Sequence, residues 1–243
     1  MGAEATRPAF YALRSGGWRD YVTLLHLPYT AWHLSYVAIG AALSPAFDWA
    51  RLWPTLVAFG LAVGIGAHAL DELNGRPLRT RIPRGVLVAL AALSVVGAVA
   101  IGVVGIVTVD AWLAAFVVAG AFIVVAYNLE SLRGSFHSDF WFAAAWGAFP
   151  LLTAYFATAE TIGMAAIAGA AFAFATSLAQ RRLSTQVRDF RRRVASVSGT
   201  LERRDGTTEP LTKERLMAPA EGALQALTAA MLAVAVALVI MRV

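Results

Sequence analysis

The chain has no cysteine. That removes disulfides, thiolate metal sites and a cysteine nucleophile from consideration. Charge is scarce: 14% of the residues are Asp, Glu, Lys or Arg, where a soluble domain carries about a quarter. A cleavable signal is not expected at the N-terminus. Arg7, Arg14 and Arg19 precede a long apolar stretch that holds aromatics, and no small-residue cleavage site follows it.

Apolar residues are abundant, at 59% of the chain with a mean hydropathy of +0.65. They come in long blocks rather than with a 3.6- or 2.0-residue period, as in a polytopic membrane protein. Seven spans are predicted, at about 22–45, 52–72, 86–108, 111–128, 140–158, 162–180 and 220–241. The expectation is one all-α transmembrane domain over 1–243, a helical bundle of about seven spans. Its richness in Ala, Val, Gly and Arg points to a bacterial source, and hence to the inner (plasma) membrane.

Eighteen of the 20 Lys and Arg residues fall in the N-terminal tail or in alternate loops; the exceptions are Arg51 and Arg242. Positive charge collects on the cytoplasmic side, so the N-terminus and the basic loops are expected there. The net charge of +5 and the pI near 10.1 are thus a topology signal and not one for nucleic acid. A face this basic attracts anionic headgroups or phosphorylated substrates. Its longest loop, 181–219, reads as a helix running out of the membrane, a turn at Asp205-Gly206 and a new helix after Pro210.

Ionisable groups at membrane edges are costly and are functional candidates by default. Span two ends in His68, Asp71 and Glu72, spaced to share one helical face. Gly60, Gly64, His68 and Glu72 fall at i+4 steps, and the two glycines allow a close helix approach. Asn74 and Arg76 follow in "DELNGRP". Span four ends in Tyr127 and Asn128, span five opens with His137 and Asp139, and Arg182, Arg188 and Asp189 follow span six. All are expected at the cytoplasmic edge. Carboxylates and imidazoles hold a divalent cation, and guanidiniums hold phosphate oxygens. Helix-end residues also snorkel or cap, and Asp139 is a plausible cap. His26 and His33, alone among aromatics, read as hydrogen-bonded core groups.

Several stretches carry a family resemblance. These are "HALDELNGRP", "AYNLESLRGSFHSDFWFAAAWGAFPLLTAY" over 126–155, and "STQVRDFRRR" four spans after the first motif. With the inward N-terminus, they make the chain similar to the UbiA superfamily of intramembrane prenyltransferases. Members of that family are all-helical and usually have nine spans. Two Asp-rich motifs hold magnesium, which grips an isoprenyl diphosphate until it ionises to an allylic cation. The resemblance implies an isoprenoid or similar lipid substrate and a divalent metal, Mg or Mn. It implies catalytic roles for Asp71, Glu72 and Asp189; a different metal would be held by His68, Asp71, Glu72, His137 and Asp139. Substrate contacts would come from Asn74, Arg76, Tyr127, Asn128, Arg182 and Arg188.

The motifs depart from the family's Asn-Asp-x-x-Asp-x-x-x-Asp pattern. Ala67, His68 and Gly75 stand at three of its positions, and in the second motif Thr185 precedes a lone Asp189. Three readings stay open: arginines partly replacing metal in a transferase, a different metal on the histidines and carboxylates, or a non-catalytic lipid or partner protein.

Overall fold

The computed structural model describes residues 7–242; residues 1–6 and Val243, the ends of the predicted 1–243 domain, lie outside the described residues. The elements are α1 (Trp18–Leu24), α2 (Leu27–Leu43), α3 (Trp49–Leu73), α4 (Arg84–Thr108), α5 (Leu113–Asn128), α6 (Asp139–Ala159), α7 (Met164–Arg192) and α8 (Lys213–Ile240). Between the last two helices, β1 (Thr200–Glu202) pairs antiparallel with β2 (Thr208–Pro210). The all-helical expectation therefore needs one small exception. The 181–219 segment is mostly not loop: it is the end of α7, this hairpin and the start of α8. The hairpin turns at Gly206, with φ of 80°.

Among the described residues four helices, α3, α4, α6 and α8, are long and apolar enough to cross a membrane, and α5 is a shorter apolar helix. Only Leu87, Ala91 and Ser94 of the 25-residue α4 are buried. Val88, Leu93, Val96, Val103, Val104 and Val107 face outward, as lipid rather than water would require.

The helix expected at 22–45 is broken. His26 sits between α1 and α2 with φ of 45°, in the left-handed region, and Pro28 enters α2 in its first turn. Proline's preference for the first turn of a helix makes this a natural place for α2 to begin.

α2 packs on α3, α6, α7 and α8, while α3 packs on α4 and α5. Two close approaches fix this arrangement. A Cβ on Gly40 of α2 would lie 2.2 Å from the Leu151 carbonyl oxygen. One on Gly147 of α6 would lie 2.5 Å from the Ala173 carbonyl oxygen of α7.

Both α3 and α6 widen into π-helical turns, at Gly60–Ala67 and Ala143–Ala148. Such turns re-aim side chains and concentrate at functional sites. They also break the expected i+4 stripe. A Cβ on Gly64 would meet Thr30 at 2.9 Å, whereas one on Gly60 would meet nothing within 4 Å. Only Gly64 serves a close approach.

The two arginines outside the basic set bond to helix C-termini. Arg51 donates to the Ala157 and Thr158 carbonyls and pairs with Glu160 at 2.6 Å. Arg242 donates to the Ala42 carbonyl at 2.7 Å. Cations favour these carbonyl-rich ends.

Candidate functional site

The C-terminal ends of α3, α5 and α7 meet the N-terminal end of α6 and the α1–α2 junction at one end of the bundle. Here the widened turn of α3 leaves the Gly64 carbonyl in reach of the His68 ring, whose Nδ1 donates to it at 3.1 Å. The acceptor nitrogen is therefore Nε2. The ring stacks on His26 at 3.9 Å, and His26 packs in turn against Tyr11 at 5.3 Å. His26, which the sequence reading set aside as a core group, belongs to the site. His33 fits that reading: it is buried and its Nδ1 donates to the Trp146 carbonyl at 2.8 Å.

Glu72 has a structural task. It is 1% exposed, and its two oxygens accept from the Leu78 and Thr80 amides at 3.0 and 2.8 Å and from the Thr80 hydroxyl at 2.9 Å. It thereby caps the 74–83 segment, where Arg76 and Arg79 both adopt positive φ. Buried Asp20 does the same from the other side, accepting from the Gly16 and Arg81 amides. Nothing in the sequence singles out Asp20 except its place beside a basic tail. Arg76 donates to the Thr80 carbonyl at 2.8 Å, and the Asn74 amide donates to the Asn128 carbonyl at 3.2 Å. Asn128 donates to Val124 of its own helix. Asn74, Arg76 and Asn128, expected to touch substrate, build the rim instead.

Asp71 differs from Glu72. Its carboxylate makes no hydrogen bond or ion pair among the described residues. The cations acting on it are Arg188, Arg181 and Arg192, in that order. At i, i+7 and i+11 on α7, these three lie within about 40° of one another at 100° per residue. Among the described residues Arg188 reaches only its own helix, at the Ser184 carbonyl and the Thr185 hydroxyl, and pairs with no carboxylate. Burial first, then Arg181 and Arg192, push the Arg188 guanidinium below its ordinary pKa. Burial does the same to Arg192, whose Nε donates to the Pro8 carbonyl. The tail from residue 8 to 12 thus lies over this end, with Ala9 and Ala12 packed on Leu78.

Asp189 and Arg182 are turned away. Val187 of α7 is in the core with Ala220 and Leu224. Asp189, two residues on, lies about 200° round the helix. It is exposed and pairs with Arg193 at 3.8 Å. Arg182 is likewise exposed. The cap expected at Asp139 is Ser138, whose hydroxyl accepts from the Trp141 amide; Asp139 itself pairs with Arg181 at 3.2 Å.

Tyr127 joins the two sides of the cluster. His137 donates from Nδ1 to its carbonyl at 3.2 Å and lies 4.6 Å from its ring. The Nε2 of His137 then faces Arg181 at 3.5 Å. The Tyr127 hydroxyl is buried with no hydrogen-bond partner among the described residues, as is the Gln180 Oε1. The charges acting on Tyr127 include Arg181, Asp71 and Arg188. A buried hydroxyl left without a partner costs about 1–3 kcal/mol.

Behind Tyr127 the site turns apolar. Trp146 lies 4.4 Å from its ring. Trp146 and Val124 also line a cavity of about 450 Å³ between α3, α4, α5 and α6, walled by Val63, Gly102, Phe116 and Phe149. Its wall on α4 runs from Val95 to Thr108, a length of about 20 Å at 1.5 Å per residue.

The divalent metal implied by the resemblance does not fit these residues. Glu72 is committed to the rim, Asp189 points outward and Asp139 is paired with Arg181. Among the described residues, no group of three His, Asp or Glu side chains is placed to hold a metal ion. No protein-family model, curated protein or solved structure matches the chain.

Proposed function

We propose that the protein is a UbiA-like integral membrane enzyme that acts on an isoprenoid diphosphate or a related lipid with an anionic head. In this reading α2 to α8 are seven spans in a bacterial plasma membrane, with the N-terminus and the cluster around Asp71 on the cytoplasmic side. Exposed aromatics at both ends, Trp18 and Trp141 at one and Trp49, Trp53 and Trp112 at the other, support it as interfacial belts.

The observation that carries the reading is adjacency. Tyr127, beside the half-buried cationic cluster, packs against Trp146, which lines an apolar chamber of about 450 Å³. That volume is within the ordinary range for small-molecule sites. A lipid with a charged head and a long tail satisfies both halves at once. In the reaction the carbon–oxygen bond to diphosphate breaks heterolytically. The diphosphate leaves with the electron pair into the guanidinium cluster. An acceptor's electron pair closes on the allylic cation, and Asp71 takes the proton the acceptor loses.

The second reading is a lipid-binding protein on the same scaffold that catalyses nothing. The outward turn of Asp189 favours it, since one of the two expected acidic motifs is missing from the interior. Incubation of the purified protein with labelled geranyl, farnesyl and geranylgeranyl diphosphates decides between them. The enzyme releases diphosphate from at least one. Tight retention of the lipid with no release from any would establish the binder.

A further inference from the structure

Taking the lipid-head reading above as its basis, the head site departs from a metal-bridged one in a specific way. Its cations are already in the protein. Arg181, Arg188 and Arg192 share one face of α7 around a single unbonded carboxylate, Asp71. Arg188 is half-buried among like charges, with no carboxylate partner among the described residues. Tyr127 is 4% exposed, and its hydroxyl has no hydrogen-bond partner among the described residues and sits in the field of Arg181 and Arg188. Guanidiniums bind phosphate oxygens through paired N–H donors, and a phenol adds a further donor. This donor set is what an oxyanion needs, whereas of the carboxylates expected to hold a bridging cation Glu72, Asp139 and Asp189 are engaged elsewhere and Asp71 stands alone.

We infer that this cluster is a metal-independent receptor for a phosphate-class anion, with Arg181, Arg188 and Arg192 holding its oxygens and the Tyr127 hydroxyl donating one more hydrogen bond. The anion is the head of the lipid whose tail enters the chamber. A free phosphate or diphosphate offers the same chemistry, so the experiment includes both sources.

Calorimetric titration of the purified full-length chain with geranylgeranyl diphosphate and with inorganic pyrophosphate, each in EDTA and in magnesium chloride, tests this. Geranylgeranyl diphosphate is expected to bind in EDTA about as tightly as in magnesium. Arg188→Gln weakens that metal-free binding by roughly tenfold or more, and Tyr127→Phe by roughly tenfold, the scale of a hydrogen bond to a charged group. Arg204→Gln, on the exposed hairpin, changes nothing. If Arg188→Gln lowers the unliganded melting temperature, Arg188→Lys and Tyr127→Phe decide the matter, and wild-type binding by both overturns the proposal.

Binding lost in EDTA and restored by magnesium also overturns it, while leaving the lipid reading in place. Arg188-dependent, metal-free binding of pyrophosphate with no gain from the prenyl chain supports the receptor and removes the lipid reading instead. No binding of either probe under either condition overturns the proposal.

Discussion

The ends of α3 and α7 were expected to be equivalent, each bringing an acidic motif to a shared site. They are opposites. α3 turns both of its carboxylates inward, Glu72 onto the rim and Asp71 into the cluster. α7 turns its carboxylate outward, to Arg193, and Arg181, Arg188 and Arg192 toward Asp71. A site with carboxylates on both walls needs a cation between them. One with a carboxylate on one wall and guanidiniums on the other already holds the charge that an anion seeks. The difference lies in helical phase, not in composition.

The comparison breaks most visibly at Glu72. Glu72→Ala strips three buried donors of their acceptor, so it is expected to destabilise the fold by about 3 kcal/mol or more and to lower the melting temperature in detergent. Wild-type stability would mean that the rim is held by something else. One residue earlier the outcome reverses. Asp71→Asn removes no hydrogen bond, so the melting temperature is expected to stay within about 2 °C. Diphosphate release should fall by roughly a hundredfold or more if Asp71 takes a proton in the reaction. A stability loss there as large as that of Glu72→Ala would make Asp71 another structural carboxylate. The smallest effect belongs to α7: Asp189→Asn, an exposed pair, should change stability by less than about 0.5 kcal/mol and leave turnover intact. Loss of turnover in that variant would restore the two-motif picture.

Much of this was legible in the sequence. The apolar blocks located the helical rods, and the polar ends of spans two, four, five and six do meet at one end of the bundle. The turn at Asp205-Gly206 and the helix start after Pro210 also read correctly. The facing of α7 was available but unused, since positions 181, 188 and 192 fall on one face by simple arithmetic. The break at His26 had a signal in Pro28. The widened turns at Gly60–Ala67 and Ala143–Ala148 had none: "GLAVGIGA" and "AAAWGA" are compatible with an ordinary α-helix. Their extra residue per turn shifted the expected glycine stripe and placed the His68 and Trp146 side chains. Glu72 misled for a different reason. A buried carboxylate that ligates a metal and one that caps a loop have the same local sequence, and only the path of 74–83 distinguishes them.

The central claim is that one amphiphile fills both the cationic cluster and the apolar chamber. The absence of native cysteine allows a direct measurement. Ala145→Cys places a thiol on the chamber wall, and Asp189→Cys places one on the outer face of α7. Rates of labelling by a membrane-permeant maleimide are then compared with and without geranylgeranyl diphosphate. The account predicts that the lipid slows labelling at the Ala145→Cys thiol by roughly tenfold, that pyrophosphate alone does not, and that neither affects the Asp189→Cys thiol. Equal rates at the Ala145→Cys thiol with and without saturating lipid would contradict it.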